Sequence, residues 1–162
     1  MSDELLIRCG SPTLAGIKTG NMFSYPYESR EEVRRDLRRL NKILVPKGLR
    51  ILPLRFTDKT VLLYLYRIDA LRKDLSRREA MDILREVGYD CSNSDRCVCD
   101  LITKLQNSGS FPHEVGLFLS YPPEDVRGFI DNHARNCKYL GFWKVYGDVE
   151  KAKKTFAKYE HL

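Results

Sequence analysis

The chain has 162 residues, 43% of them hydrophobic and 31% charged, a composition that excludes disordered and fibrous classes and suits one domain with its own core. Its formal net charge is +6, and residues 30–55 hold nine Lys or Arg against three Asp or Glu, so the basicity is one patch rather than a general property. Five cysteines at irregular spacing argue against a secreted disulfide framework, acids stand where a signal peptide needs bases, and the apolar run Val61 to Tyr66 is far short of the roughly 20 residues of a membrane-spanning helix; the expectation is a cytoplasmic protein with reduced thiols and no membrane association.

In chain order, the stretch Cys9 to Thr19 resembles a phosphate loop only superficially. Five residues separate Gly10 from Gly16, and Ile17 intervenes before Lys18, whereas the phosphate loop needs four residues and then Gly-Lys. The better reading has Ser11 as cap and Pro12 as the first residue of a short helix whose amides face Cys9 or an anion. Ser29-Arg30-Glu31-Glu32 is a capping box. The helix it opens carries Val33, Leu37, Leu40 and Leu44 as an apolar stripe, with Arg34, Arg35, Arg38, Arg39 and Lys42 opposite, and ends near Pro46-Lys47-Gly48.

The runs 49–56 and 60–67 are β-rich and separated by Thr57-Asp58-Lys59, which predicts an antiparallel hairpin. Pro53 lacks an amide donor and places the first run at a sheet edge. A short helix follows around Ala70 to Leu75. A second capping box, Ser76-Arg77-Arg78-Glu79, opens a helix that stops at Gly88. Val98, Leu101, Ile102 and Leu105 mark another helix, released at Asn107-Ser108-Gly109. Val115 to Ser120 reads as a strand, Pro122-Pro123 as the start of a helix with Val126, Phe129 and Ile130, and Gly141 to Tyr146 as a last strand. Asp148 caps a terminal helix that buries Val149, Ala152, Phe156 and Tyr159. A hairpin followed by single strands between helices predicts an α+β fold. Its sheet is mostly antiparallel, of about four strands near 50–56, 61–67, 115–120 and 142–146, covered by helices within a single domain, 1–162.

Residues 111–148 are richest in groups that a ligand pocket needs, polar side chains set in apolar surroundings. His113, between Pro112 and Glu114, is the candidate acid, base or ligand-binding imidazole. In a strand Glu114 faces the other way. Phe142, Lys144 and Tyr146 share one face of the last strand, and Trp143 and Val145 the other. Cys97 and Cys99, two residues apart on a helix, lie about 200° around its axis and cannot easily share an ion with Cys91. No metal site is expected there, although a position in the first helical turn would mildly acidify Cys97.

These residues support a small-molecule or cofactor-binding protein, with enzymatic activity left open and the ligand unreadable. Its pocket draws on segments 9–21, 111–125 and 137–148. Candidate catalytic groups are Cys9, His113, Glu114 and Cys137; candidate ligand contacts are Thr13, Lys18, Asn21, Asp125, Trp143, Lys144 and Tyr146. If Cys9 and Cys137 share one pocket with His113, a thiol there is acidified. The alternatives use the basic helix: nucleic-acid binding through Arg34, Arg35, Arg38, Arg39 and Lys42, or docking on an acidic protein.

Four blocks, CGSPTLAGIKTGNMF (9–23), KGLRILPLR with TVLLYLYR (47–67), FPHEVGLFLSYPPEDVRGFI (111–130) and CKYLGFWKVYGDVEKAKKTFAKY (137–159), resemble a bacterial family known only as domain of unknown function 3793. The resemblance spans nearly the whole chain. It implies a stand-alone cytoplasmic protein, chiefly of anaerobic bacteria, and brings no activity with it. The Cys91–Cys99 region and the arginines of 30–42 depart from that family pattern.

Overall fold

The computed structural model describes residues 3–108 and 110–161. In chain order these form α1 (Asp3–Leu14), β1 (Gly20–Pro26), α2 (Arg30–Leu44), a 3-10 turn (Val45–Lys47), β2 (Leu49–Phe56), β3 (Thr60–Arg67), α3 (Ile68–Ser76), α4 (Arg78–Glu86) and α5 (Ser94–Asn107). A 3-10 helix (His113–Leu119), α6 (Pro123–Asp131), the two-residue strands β4 (Tyr139–Leu140) and β5 (Lys144–Val145), and α7 (Val149–Glu160) complete the chain. The architecture is α+β.

The main sheet is antiparallel throughout, with strand order β1-β3-β2. β3 is central and covered on both faces, which is why TVLLYLYR reads as an almost unbroken apolar run. Its alternation divides the core in two. Val61, Leu63 and Leu65 pack with Leu6 of α1 and with Val33, Leu37, Leu40 and Leu44 of α2. Tyr64 and Tyr66 point the other way, against Leu71, Ile83, Leu101 and Phe118. The two tyrosine rings stack at 4.6 Å. A third cluster, Trp143, Val145, Ala152 and Phe156, lies under the C-terminal helix.

The Ser29 hydroxyl accepts from the Glu32 amide at 3.3 Å and starts α2 as the capping pattern requires. Gly48, with φ of 84°, turns the chain into β2. β2 is an edge strand, as Pro53 implies. Its Ile51 amide and carbonyl are both met by the Asn41 side-chain amide, each at 2.9 Å.

Several sequence expectations are corrected. Val115–Ser120 is not a strand: the 3-10 helix lies flat on the tyrosine face, where the Phe118 carbonyl accepts from the Tyr64 hydroxyl at 2.6 Å, and Ser120 closes it with φ of 71°. The expected strand 142–146 shrinks to Lys144–Val145, paired with Tyr139–Leu140. The third strand of the main sheet is instead β1. Its Gly20 permits close approach, since a Cβ there would stand 2.6 Å from the Tyr64 ring and 2.8 Å from the Phe118 carbonyl. Pro12 sits in the last turn of α1 rather than the first, and its carbonyl accepts from the Ile17 and Lys18 amides. Ser76 does not cap α4; its hydroxyl donates back to Lys73 at 2.8 Å, inside α3. Gly109, expected to end α5, falls outside the described residues.

Candidate functional site

Pro123 takes the first position of α6, where the missing amide costs nothing. That places Asp125 in the first helical turn, buried at 3% exposure. Its two oxygens accept three bonds: from the Trp143 indole at 2.7 Å, the Tyr146 amide at 2.9 Å and the Gly147 amide at 2.8 Å. The α6 N-terminus favours that negative charge. One carboxylate therefore fastens the segment after β5 to α6. Gly128, a turn further along, lets the Tyr146 side chain lie directly on the helix backbone.

Between α6, the start of the 3-10 helix and the β4–β5 turn lies a cavity of about 460 Å³, within the roughly 300–1,000 Å³ of small-molecule sites. Trp143 and Tyr121 belong to its lining, their rings stacked 4.8 Å apart. Phe111, Phe129, Leu140 and Phe142 also line it. Three of these stand out into solvent: Leu140 at 66% exposure, Phe142 at 52% and Phe111 at 46%.

Two basic side chains enter this apolar lining. The His113 ring meets the Phe129 ring edge-on at 5.4 Å. Lys144 Nζ lies 6.0 Å from the centroid of the same Phe129 ring and donates to the Ala134 carbonyl at 2.7 Å. Glu114 does not join them. It is buried on the other side of the 3-10 helix, where it accepts from the Tyr89 hydroxyl and from Lys104 Nζ, both at 3.0 Å. Burial, and then the adjacent carboxylate, raise the Tyr89 pKa well above the ordinary phenol value.

The other candidates lie elsewhere. Cys9 is on α1, which packs on the sheet face opposite the 3-10 helix, so Cys9 and His113 do not converge. Cys137 precedes β4 and is not part of the cavity lining. The Thr13 hydroxyl donates to the Asn21 side chain, and Arg67 donates to the Thr13 and Leu14 carbonyls at 2.8 and 2.7 Å, which secures the C-terminal end of α1. Lys18 leaves this segment toward α7, with Nζ 5.9 Å from the Tyr159 ring centroid; burial lowers its pKa to about 8. Tyr146 spends its hydroxyl on the Arg135 carbonyl at 2.9 Å.

Arg34, Arg35, Arg38, Arg39 and Lys42 all face solvent on α2. Arg30 and Arg34 stack over Phe56 at 5.1 and 5.5 Å, and Arg39 reaches Asp3 at 3.9 Å. Cys97 is not acidified: burial, followed by the neighbouring Cys91, pushes its thiol up to about 12. Among the described residues no group of three or more His, Cys, Asp or Glu is arranged to hold a metal ion, and no helix is long and apolar enough to cross a membrane.

Of the three segments expected to form one pocket, 111–125 and 137–148 meet at the cavity and 9–21 does not. Phe111 and Leu140 fall within the expected pocket segments without being singled out, and Phe129 reads only as an apolar residue of the helix after Pro122-Pro123. The available signal was a large apolar side chain in a turn-rich stretch, with no regular face on which to bury it.

A family model described as "Protein of unknown function (DUF3793)" matches residues 6–162. No curated protein and no solved structure matches the chain.

Proposed function

The chain belongs to the DUF3793 family of proteins of unknown function, and from that premise, which supplies no activity, we propose that it binds a small organic molecule in the aromatic cavity. The observation that carries this reading is the cluster of exposed apolar side chains, Phe111, Leu140 and Phe142, around a concave surface lined by Trp143. Phe142 also leans on the Phe156 and Tyr159 rings of α7, at 5.6 and 5.4 Å, but the part of each side chain left in water forgoes about 25 cal/mol for every square ångström. A flat ligand seated among them recovers that energy. The support is for binding rather than for catalysis. Asp125 is committed to Trp143 and two amides, and Glu114 to Tyr89 and Lys104, so both carboxylates hold structural partners.

Trp143 is the single tryptophan of the chain, so its emission reports the cavity directly. Titration with the neutral planar dye phenylnaphthylamine is expected to quench that emission saturably, with energy transfer to the dye. Replacing the exposed Leu140 and Phe142 together by serine should weaken binding at least tenfold while far-ultraviolet circular dichroism stays unchanged. Absence of saturable quenching, or equal affinity in the double variant, would overturn the reading.

A further inference from the structure

The cavity's two basic groups bear on what it holds, provided that it is a ligand site at all. Lys144 comes from β5 and His113 from the start of the 3-10 helix, yet both flank one ring, Phe129. A lysine that only needed solvation would point away from an apolar wall. Instead Lys144 is half-buried and anchored through one proton to the Ala134 carbonyl, which leaves two ammonium protons for another acceptor.

Among the described residues, no carboxylate forms an ion pair with Lys144. Asp125, the acidic residue of the cavity lining, has its oxygens filled by Trp143, Tyr146 and Gly147. Glu114, next to His113 in sequence, is turned to Lys104 on the far side. A partly desolvated cation without a counter-charge is costly. An anion arriving with a ligand would offset that cost. We propose that the cavity takes a flat, apolar molecule bearing one anionic group, such as a carboxylate, sulfonate or phosphate, with the anion received by Lys144 beside His113 and the ring body held among Phe111, Phe129 and Phe142.

A matched pair of probes tests this. Anilinonaphthalene sulfonate and phenylnaphthylamine share one ring body and differ in the sulfonate. In the wild-type protein the sulfonate is expected to bind at least tenfold more tightly, and its affinity should fall with added salt. Lys144→Met should abolish that preference, lowering sulfonate affinity at least tenfold and leaving the neutral dye within twofold. Lys144→Arg should keep the preference, which separates charge from the loss of the Ala134 bond. His113→Gln should reduce it by a smaller factor.

If both dyes bind and the ratio of their affinities is unchanged in Lys144→Met, the anion reading is overturned while the cavity reading stands. If neither dye binds, both are overturned. Should Lys144→Met lose its native circular dichroism, the wild-type ratio and its salt dependence still decide: equal affinities with no salt effect reject the anion.

Discussion

Asp125 shows how a residue that looks reactive can be wholly occupied. A buried carboxylate that accepts an indole N–H and two amides is an anchor, and its chemistry is spent on geometry. Asp125→Asn is the informative change, because the side-chain amide presents hydrogens to donors on one of its two sides. We expect a loss of about 2 kcal/mol, the usual penalty for leaving a buried donor unpaired, together with a red shift of Trp143 emission as the indole is released. Urea denaturation followed by fluorescence would measure both; an unchanged midpoint would mean that the three bonds contribute nothing. Residue types in this region were legible in the sequence, but their partners were not. Glu114 read as a catalytic candidate and Asp125 as a ligand contact because the sequence did not show that Lys104 or Trp143 would reach them.

At the scale of elements, the approach of α6 to the β5–α7 connection depends on Gly128. Alanine there would gain up to about 1 kcal/mol in helix propensity. Its methyl, however, would fall on the Tyr146 side chain next to the backbone, where overpacking costs about 1–3 kcal/mol. Gly128→Ala is therefore expected to lower the thermal midpoint and to weaken dye binding together, because a displaced α6 carries Phe129 of the cavity lining with it; a raised midpoint would show that the helix end has room to shift. α2 was readable because a capping box and a clear period agreed, α5 from its apolar period, and the hairpin from two β-rich runs on either side of a short turn. The 3-10 helix was not. A short apolar run such as Val115–Leu119 satisfies strand and helix alike, and the deciding contact, the Tyr64 hydroxyl on the Phe118 carbonyl, joins residues 54 positions apart. β1 was missed because its residues are mostly half-buried and only the register with β3 makes it a strand. At the C-terminal end the alternation of 142–146 was real, but only two residues of it found a partner.

For the whole molecule, Lys18 links the end of α1 to the C-terminal helix and leaves a pH signature. Its folded pKa is depressed from 10.5 to about 8 by burial. Below pH 8 it is protonated in both folded and unfolded chains, and the cost of burying the charge is constant. Between about pH 8 and 10 the unfolded chain holds the proton that the folded chain has released, so stability rises with pH, by at most about 1.4 kcal/mol per unit. Cys97 and Tyr159, both pushed up to about 12, act in the opposite direction. Comparing wild type with Lys18→Met cancels them. The difference in unfolding free energy is expected to shift in favour of the wild type from pH 8 to 10 and to be flat below; a flat difference throughout would mean that Lys18 is solvated.

The same global view gives a meaning to the outer border of β2. Its Ile51 amide and carbonyl are taken by Asn41, its Pro53 has no amide to offer, and its register breaks between Pro53 and Arg55. A second chain seeking to extend the sheet along this side would find no continuous ladder, so the border resists the strand addition that leads to fibrils and domain-swapped dimers.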